Sequence, residues 1–278
     1  MRTFERAGYI FEVRDGGPTD GEVIVLLHGF PQDAATWSDV EPLLHEAGYR
    51  TLAFDMRGVS PGARPESVRQ YATIESIHDV TALLDAAGVE HAHLVGHDWG
   101  AYVAWATATE CPERLLSLTV ASTPHPGALR RSMTRSSQGI RSSYMLLFQV
   151  PGIAEAVLKP GTPLWNAFVR GLPPEHKQRY AQRMSDHATR HAALNWYRVM
   201  RYELTSPSFT GGPVSVPTTY VWGEYDPALG RFAAEATGHY VAAPYAFVQL
   251  RAGHWLPETR PELLAEAIVS RATSKGVA

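Results

Sequence analysis

The chain of 278 residues contains a single cysteine, Cys111, so no intrachain disulfide holds the fold together. A reducing compartment suits such a chain, because disulfides persist mainly in oxidising environments. No stretch approaches the roughly 20 apolar residues that a transmembrane helix needs. Residues 1–13 alternate polar and apolar side chains and lack the apolar core of a signal peptide. We therefore predict a cytoplasmic protein without a membrane partner.

An excess of charge of either sign is also missing. The formal charge of -3 gives no electrostatic basis for binding nucleic acid or an anionic membrane, so we expect a small, neutral substrate. Metal-ligand spacing is lacking as well: His91 and His93 alternate on a predicted strand, without further ligands at suitable positions. The sequence therefore predicts no metal, no cofactor and no nucleic-acid partner. It is compatible with both a monomer and a homodimer.

The chain does show a regular alternation of apolar strands and amphipathic helices. Residues 23–27, Val-Ile-Val-Leu-Leu, are typical of a strand buried on both faces of a parallel sheet. After a predicted hairpin at residues 4–13, the predicted strands are 23–27, 51–54, 91–95, 115–121, 218–222 and 246–250. The helical patterns between them predict an α/β fold with a doubly wound, mostly parallel sheet that binds ligands at the carboxyl ends of its strands.

This alternation stops between residues 127 and 212, where helical patterns follow one another without clear strands. We interpret residues 127–212 as a helical cap inserted between two parts of an α/β core, residues 1–126 and 213–278. Four arginines lie near the start of this segment: Arg130, Arg131, Arg135 and Arg141. An anion site and a solvated helix face would both explain them, and we favour the solvated face.

The turn at residues 94–100, Leu-Val-Gly-His-Asp-Trp-Gly, joins a predicted strand to a predicted helix. Gly96 and Gly100 flank Asp98 with the spacing of a nucleophile elbow, whose tight turn leaves no room for side chains at the two glycines. The carboxylate of Asp98 would lie at a helix N-terminus, where free N–H groups stabilise an anion. An ordinary turn with an Asp N-cap is the alternative interpretation.

Asp226 and His254 also follow predicted strands. With Asp98 they stand in the order nucleophile, acid, histidine, which is the order expected of the α/β-hydrolase fold. Glu224 is the alternative acid. It lies closer to the end of its strand than Asp226 does, and we favour Asp226 as the acid.

Two motifs resemble the epoxide hydrolase branch of the α/β-hydrolases: residues 28–31, His-Gly-Phe-Pro, and residues 96–100, Gly-His-Asp-Trp-Gly. The resemblance covers nearly all of the chain, including the predicted cap. It implies that the backbone N–H groups of Phe30 and Trp99 stabilise an oxyanion. It also implies a cis peptide bond before Pro31.

Within the cap, residues 143–152 and 194–198 resemble the two segments that carry the epoxide-binding tyrosines of that branch. On this match the tyrosines are Tyr144 and Tyr197. Their role as two ordinary core tyrosines is the alternative interpretation.

The residue types suit the chemistry that the resemblance implies. An Asp carboxylate with a pKa near 3.9 is ionised at neutral pH and attacks carbon without a base, whereas a Tyr with a pKa near 10 keeps a proton to donate. The hypothesis is that Asp98 opens a small apolar epoxide, Tyr144 and Tyr197 protonate its oxygen, and an alkyl ester forms. His254, oriented by Asp226, then activates water, and hydrolysis of the ester yields a vicinal diol. The residues expected at the substrate are Phe30, Trp99, Met145, Phe148, Trp165 and Trp196.

A haloalkane or haloacid dehalogenase is the rival enzyme, with Asp98 displacing a halide held by the indole N–H groups of Trp99 and of Trp165 or Trp196. Phe30 stands where haloalkane dehalogenases typically carry Asn, and Trp99 is not the Arg typical of haloacid-type relatives. Both departures favour the epoxide hydrolase.

A non-catalytic small-molecule receptor is the rival from another class. A receptor has no chemical need for the complete set of Asp98, Asp226 and His254, so the sequence favours an enzyme. A serine esterase is disfavoured because Asp, not Ser, occupies the elbow.

Overall fold

The computed structural model of the protein describes residues 1–204 and 211–274. Its strands, in chain order, are β1 (Thr3–Arg6), β2 (Tyr9–Gly16), β3 (Val23–Leu27), β4 (Arg50–Phe54), β5 (Ala92–His97), β6 (Leu115–Ala121), β7 (Thr218–Gly223) and β8 (Tyr245–Leu250). They form one sheet in the order β1-β2-β4-β3-β5-β6-β7-β8. β2 pairs antiparallel with β1 and β4, and the other pairs are parallel. The predicted α/β fold, with its hairpin and mostly parallel sheet, is confirmed.

Helices follow most of the strands. In chain order the α-helices of the described residues are α1 (Glu41–Glu46), α2 (Thr73–Ala86), α3 (Trp99–Glu110), α4 (Pro126–Arg135), α5 (Gln138–Arg141), α6 (Tyr144–Phe148), α7 (Ile153–Val157), α8 (Pro163–Phe168), α9 (Pro174–Ser185), α10 (His187–Glu203), α11 (Arg231–Ala236), α12 (Leu256–Thr259) and α13 (Pro261–Thr273). None of these helices has the length and apolar character that crossing a membrane requires.

The central strand β3 is buried at every residue because helices cover both faces of the sheet. Val25 and Leu27 pack in a core cluster that includes side chains of α2 and α3. Ile24 and Leu26 point the other way and pack in a second cluster with side chains of α1 and α13. Burial of each such side chain stabilises the fold by about 1.5–3 kcal/mol, which explains the continuous apolar run.

The register of the parallel strands brings their carboxyl ends to one edge of the sheet. Leu27 at the end of β3 pairs with Gly96 near the end of β5. Ala121 at the end of β6 pairs with Val221 near the end of β7. The loops after these strands therefore start at the same edge, where ligands bind in α/β sheets of this kind.

Helices α4 to α10 form a helical insertion between β6 and β7, where the sequence predicts helices without strands. Apolar periodicity does not predict α4, because its buried residues are small or polar: Pro126, Gly127, Ala128 and Ser132. The proposed domain boundaries at residues 127 and 212 stay a prediction. Residues 205–210 of the predicted cap lie outside the described residues.

A strained turn joins β5 to α3. Asp98 has φ 52° and ψ -117°, a backbone conformation that side-chain-bearing residues rarely adopt. A Cβ atom on Gly96 would lie 2.3 Å from the carbonyl oxygen of Gly100, and one on Gly100 would lie 2.2 Å from the carbonyl oxygen of Leu27. Both positions therefore exclude a side chain, as the spacing of the two glycines predicts.

We expect Gly100→Ala to lower the free energy of unfolding by about 3 kcal/mol, because its Cβ would meet backbone atoms that cannot move aside. Gly253→Ala is the matched control, since a Cβ at Gly253 meets no atom within 4 Å. Urea unfolding followed by circular dichroism measures both variants. Equal stabilities of the two variants would contradict the steric explanation of the turn.

Candidate active site

The carboxylate of Asp98 lies at the N-terminus of α3, at the carboxyl edge of the sheet. Its Oδ1 accepts a hydrogen bond of 2.8 Å from the backbone N–H of Phe30, and its side chain is 19% exposed. Trp99 is the first residue of α3, so its N–H has no partner within the helix. The peptide bond between Phe30 and Pro31 is cis, as the resemblance implies.

His254 lies between two carboxylates. Its Nε2 is 3.4 Å from Oδ2 of Asp98, and its Nδ1 is 2.7 Å from Oδ2 of Asp226. The other oxygen of Asp226 accepts hydrogen bonds from the N–H groups of Ala228 and Leu229. The structure thus brings Asp98, Asp226 and His254 together.

Glu224, the alternative acid, points away from His254. Its Oε2 accepts a hydrogen bond of 2.8 Å from Gln249, and its Oε1 is 3.6 Å from Nε of Arg251. Geometry therefore favours Asp226 over Glu224 as the partner of His254.

Burial and charge shift the pKa values of His254 and Asp98 in opposite directions. Burial lowers the pKa of His254, but the charge and hydrogen bonds of Asp226 and Asp98 outweigh it and hold that pKa well above its ordinary value. Burial raises the pKa of Asp98, but the hydrogen bond and charge of His254 outweigh it and hold that pKa below its ordinary value. The surroundings of His254 and Asp98 therefore favour an imidazolium between two carboxylates.

The backbone carbonyl of His254 is held by two further side chains. It accepts hydrogen bonds of 2.9 Å from Nε2 of His97 and 2.8 Å from the hydroxyl of Ser122. Burial lowers the pKa of His97, which is fully enclosed beside the nucleophile. His97 therefore contacts the backbone of His254 from outside the lining of the cavity described below.

Sequence reasoning missed a buried network behind the loop at residues 28–31. Oε1 of Gln32 accepts a hydrogen bond of 2.8 Å from the N–H of Gly29 and lies 3.0 Å from Nδ1 of His97. The amide of Gln32 donates to Oε1 of Glu258 at 2.6 Å. The same oxygen accepts from the hydroxyl of Tyr180 on α9. This network connects the helical insertion to the loop that carries the Phe30 N–H.

Tyr144 on α6 and Tyr197 on α10 meet above Asp98. Their rings meet edge-on, with centroids 6.2 Å apart. Burial raises the pKa of both tyrosines, and the charge of Asp98 raises it further, so both phenols are protonated at neutral pH. Two protonated phenols thus line the same cavity as the carboxylate of Asp98.

A cavity of about 260 Å³ joins these groups. In the described part of the chain its lining is mostly apolar and consists of Asp98, Trp99, Tyr102, Thr123, Pro126, Leu129, Arg130, Met133, Ser142, Tyr144, Met145, Tyr197, Met200, Leu204, Ala228 and Leu229. Of the residues expected at the substrate, Trp99 and Met145 belong to the lining.

The other four expected substrate residues, Phe30, Phe148, Trp165 and Trp196, lie outside this lining. All four are buried in the hydrophobic core instead. Phe30 and Phe148 pack edge-on against the ring of Tyr197, with centroids 5.3 Å and 4.9 Å away. Their side chains support the tyrosine rather than face the cavity.

The indole groups give no support to a halide site. The ring of Trp99 packs edge-on against that of Tyr197, with centroids 5.0 Å apart, and the indole N–H of Trp196 donates to the carbonyl of Arg57 at 2.7 Å. Trp165 is outside the lining. Metal-ligand clusters of three or more His, Cys, Asp or Glu side chains do not occur in residues 1–204 and 211–274.

Arg198 connects the helices that carry the two tyrosines. Its guanidinium donates to Oε1 of Glu155 on α7 at 2.7 Å and to the carbonyl of Phe148 at the end of α6 at 3.2 Å. Arg198 and Glu155 are both buried, so the ion pair is shielded from solvent. It holds α10, with Tyr197, against the segment that begins with Tyr144.

The fold and this site define the class of protein. Residues 22–261 match the family described as alpha/beta hydrolase fold, and the chain belongs to that family. The family expected from the sequence motifs is therefore confirmed.

Within this family the chain belongs to the epoxide hydrolase branch and is a hydrolase. Epoxide hydrolase A of Mycobacterium tuberculosis is 32% identical to it, over 96% of this chain and 95% of that protein. The crystal structure of epoxide hydrolase A from Mycobacterium thermoresistibile has a TM-score of 0.83 at 30% identity and covers 97% of both chains. An epoxide hydrolase structure from metagenomes of hot environments has a TM-score of 0.86 at 26% identity, over 99% of this chain and 98% of that one.

Arg198→Met should lower the free energy of unfolding by about 3 kcal/mol, because Glu155 would stay buried without its cationic guanidinium partner, leaving the backbone N–H of Gly152 and the half-exposed His191. Urea unfolding provides the measurement. Arg201→Met, an exposed position on the same helix, is the control and should change stability by less than about 0.5 kcal/mol. The double variant Arg198→Met/Glu155→Leu should recover part of the loss, and a stability of Arg198→Met equal to that of the control would refute the role of the ion pair.

Asp98→Asn should lower the pKa of His254, because the variant removes one of the two negative charges that stabilise the imidazolium. Titration of the histidine ring nitrogens by NMR measures this pKa in the variant and in the native protein. Glu224→Gln, which neutralises a carboxylate away from His254, should leave it unchanged. An unchanged pKa in Asp98→Asn would show that the two groups are not coupled.

Proposed function

We propose that the protein hydrolyses an epoxide to a vicinal diol through an alkyl ester on Asp98. The observation that carries the proposal is a carboxylate 3.4 Å from His254 in the lining of an apolar cavity that the tyrosines Tyr144 and Tyr197 also line. The names of the relatives support the same reaction class, since the compared proteins are called epoxide hydrolases.

In the first step an oxygen of Asp98 attacks one carbon of the epoxide, and the bond from that carbon to the ring oxygen breaks. Tyr144 and Tyr197 bind the ring oxygen, and one of them supplies the proton that converts it to a hydroxyl. The high pKa of both phenols keeps them protonated until the oxygen develops charge. The product of this step is a hydroxyalkyl ester of Asp98.

Ester formation changes the state of the histidine. It removes the charge of Asp98, which helps to hold the pKa of His254 above its ordinary value, so the imidazolium releases its proton more readily. The transfer of a proton to the epoxide oxygen leaves one tyrosine as a phenolate, and the proton that His254 loses restores that phenol. Neutral His254 is then a base for the second step, with Asp226 to stabilise the imidazolium that forms again.

In the second step His254 takes a proton from water, and the hydroxide attacks the carbonyl carbon of the ester. The N–H of Phe30, which already contacts Asp98 at 2.8 Å, and the N–H of Trp99 stabilise the oxyanion. Collapse of this intermediate breaks the bond from the carbonyl carbon to the alkoxy oxygen, which takes the proton of the newly added hydroxyl, so the diol leaves and the Asp98 carboxylate is regenerated. In this proposal residues 127–212 are the cap that supplies the tyrosines to the core, residues 1–126 and 213–278.

A single-turnover reaction in oxygen-18 water, run with excess enzyme on a panel of aryl and alkyl epoxides, tests the covalent route. The diol should contain no label, because its new oxygen comes from the Asp98 carboxylate, and the label should appear in the peptide that contains Asp98. Mass spectrometry of product and peptide measures both. Labelled diol from the first turnover would mean that water attacks the ring directly.

His254→Gln serves as the second arm of this experiment. The variant should accumulate the ester, seen as an increase in protein mass by one substrate, because no base activates the water. Asp98→Asn is its control and should form no adduct. Normal turnover by His254→Gln without an adduct would remove His254 from the proposed mechanism.

A further inference from the structure

The cavity has two ends of different character. At the inner end lie Asp98 and the buried Tyr197. At the outer end Met133 is 41% exposed and Leu204 is 63% exposed, so this end opens to solvent between α4 and the end of α10. Arg130 also lies at this mouth and is exposed. Among the described lining residues, Arg130 is the one cationic side chain and Asp98, at the inner end, is the one acidic side chain.

Arg130 has no hydrogen bond or ion pair with any described residue, and residues 205–210 contain no acid. Its neighbour Arg141 on α5 differs, because it donates to the backbone carbonyls of Asp226 and Pro227. Arg183 on α9 is paired with Asp55. The guanidinium of Arg130 is therefore available to a ligand in the cavity.

The sequence around the mouth strengthens the positive potential. Residues 114–154 contain no Asp or Glu, although the whole protein has a formal charge of -3. Arg131 and Arg135 lie on the same helix as Arg130, are exposed and do not line the cavity. The apolar walls reduce screening, so a positive mouth attracts anions more strongly than an open surface does.

The sequence favours a solvated helix face for the four arginines near the start of the cap. For Arg130, but not for the other three, these observations revise that interpretation. A fully apolar ligand that covered the mouth would remove water from an unpaired cation, which is unfavourable. A carboxylate at the same position would instead form a charge-assisted, two-pronged hydrogen bond with the guanidinium.

We infer that the cavity takes an epoxide whose apolar body ends in a carboxylate, which Arg130 binds at the mouth while the epoxide ring lies at Asp98. This inference rests on the proposed function and narrows its substrate class. It makes Arg130 a specificity-determining residue, and it departs from the neutral substrate expected from net charge, because the local charge at the mouth is positive.

A pair of substrates tests this inference: an epoxide with a terminal carboxylate and its methyl ester. Native protein should have the lower KM for the carboxylate, and added salt should raise that KM and leave the KM of the ester unchanged. Arg130→Met should raise KM for the carboxylate about tenfold without changing kcat, and should leave the ester unaffected. Arg130→Lys should retain part of the preference because it keeps the charge and loses the planar fork.

Arg131→Met is the matched control, since it removes a neighbouring exposed charge outside the cavity lining, and both KM values should stay as in native protein. Equal effects of Arg130→Met on the acid and the ester, or a native preference for the ester, would overturn the inference.

Calorimetric binding of the saturated carboxylic acid and its methyl ester, neither of which contains an epoxide, separates this inference from the proposed function. Selective binding of the acid that is lost in Arg130→Met supports the carboxylate site even if no epoxide is hydrolysed. Turnover of epoxides without selective binding of the acid would leave the proposed function intact and exclude the role of Arg130.

Discussion

The site depends on a buried imidazolium held between two carboxylates. Removing ions from water is costly, and the cost is offset only by close opposite charges and well-directed hydrogen bonds. His254 is 2.7 Å from Asp226 and 3.4 Å from Asp98, and backbone N–H groups donate to both carboxylates. Because each charge is favourable only in the presence of the others, the group acts as a unit. In the proposed mechanism, esterification of Asp98 disturbs that unit and converts the histidine from a stabilised cation into a base.

The backbone supplies the geometry that this unit requires. Asp98 and His254 come from loops that follow different strands, and the parallel register brings those loops to one edge. The strained φ of Asp98 aims its carboxylate at the N–H of Phe30, and the two hydrogen bonds to the carbonyl of His254 fix the ring on the opposite side. The strain at Asp98 is thus part of the arrangement and is held by the surrounding packing.

The sequence predicts those parts of the structure that depend on residues close together in the chain. The bounds of β3 and β6 are as predicted, because continuous apolar runs mark strands buried on both faces. Position after the strand favours Asp226 without excluding Glu224, and the direction of the two side chains decides between them. The hydrogen bond between Gln32 and Glu258 joins residues 226 positions apart, so no local pattern reveals it.

The rotation of a helix about its axis is a second limit on prediction from sequence. Aromatic residues in α6 and α10 are predicted near the substrate, but periodicity does not fix which of them face the cavity. Tyr144 and Tyr197 line it, whereas Phe148 packs edge-on against both tyrosines and Trp196 packs in the core against His28 and Trp99. Each helix turns only one face toward the cavity. Which face this is depends on how its large side chains pack against elements that are distant in sequence.

Directional bonds between the insertion and the core determine how the tyrosines are held over the nucleophile. Tyr180 donates to Glu258, and Glu203 at the end of α10 accepts from the backbone N–H and the hydroxyl of Thr73 at the start of α2. Apolar contacts alone would let the insertion slide, whereas each of these buried bonds would leave an unsatisfied polar group if it broke. A displacement of α9 and α10 would break them together. The distance from the phenols to Asp98 is therefore set by the bonds that hold the insertion against the core.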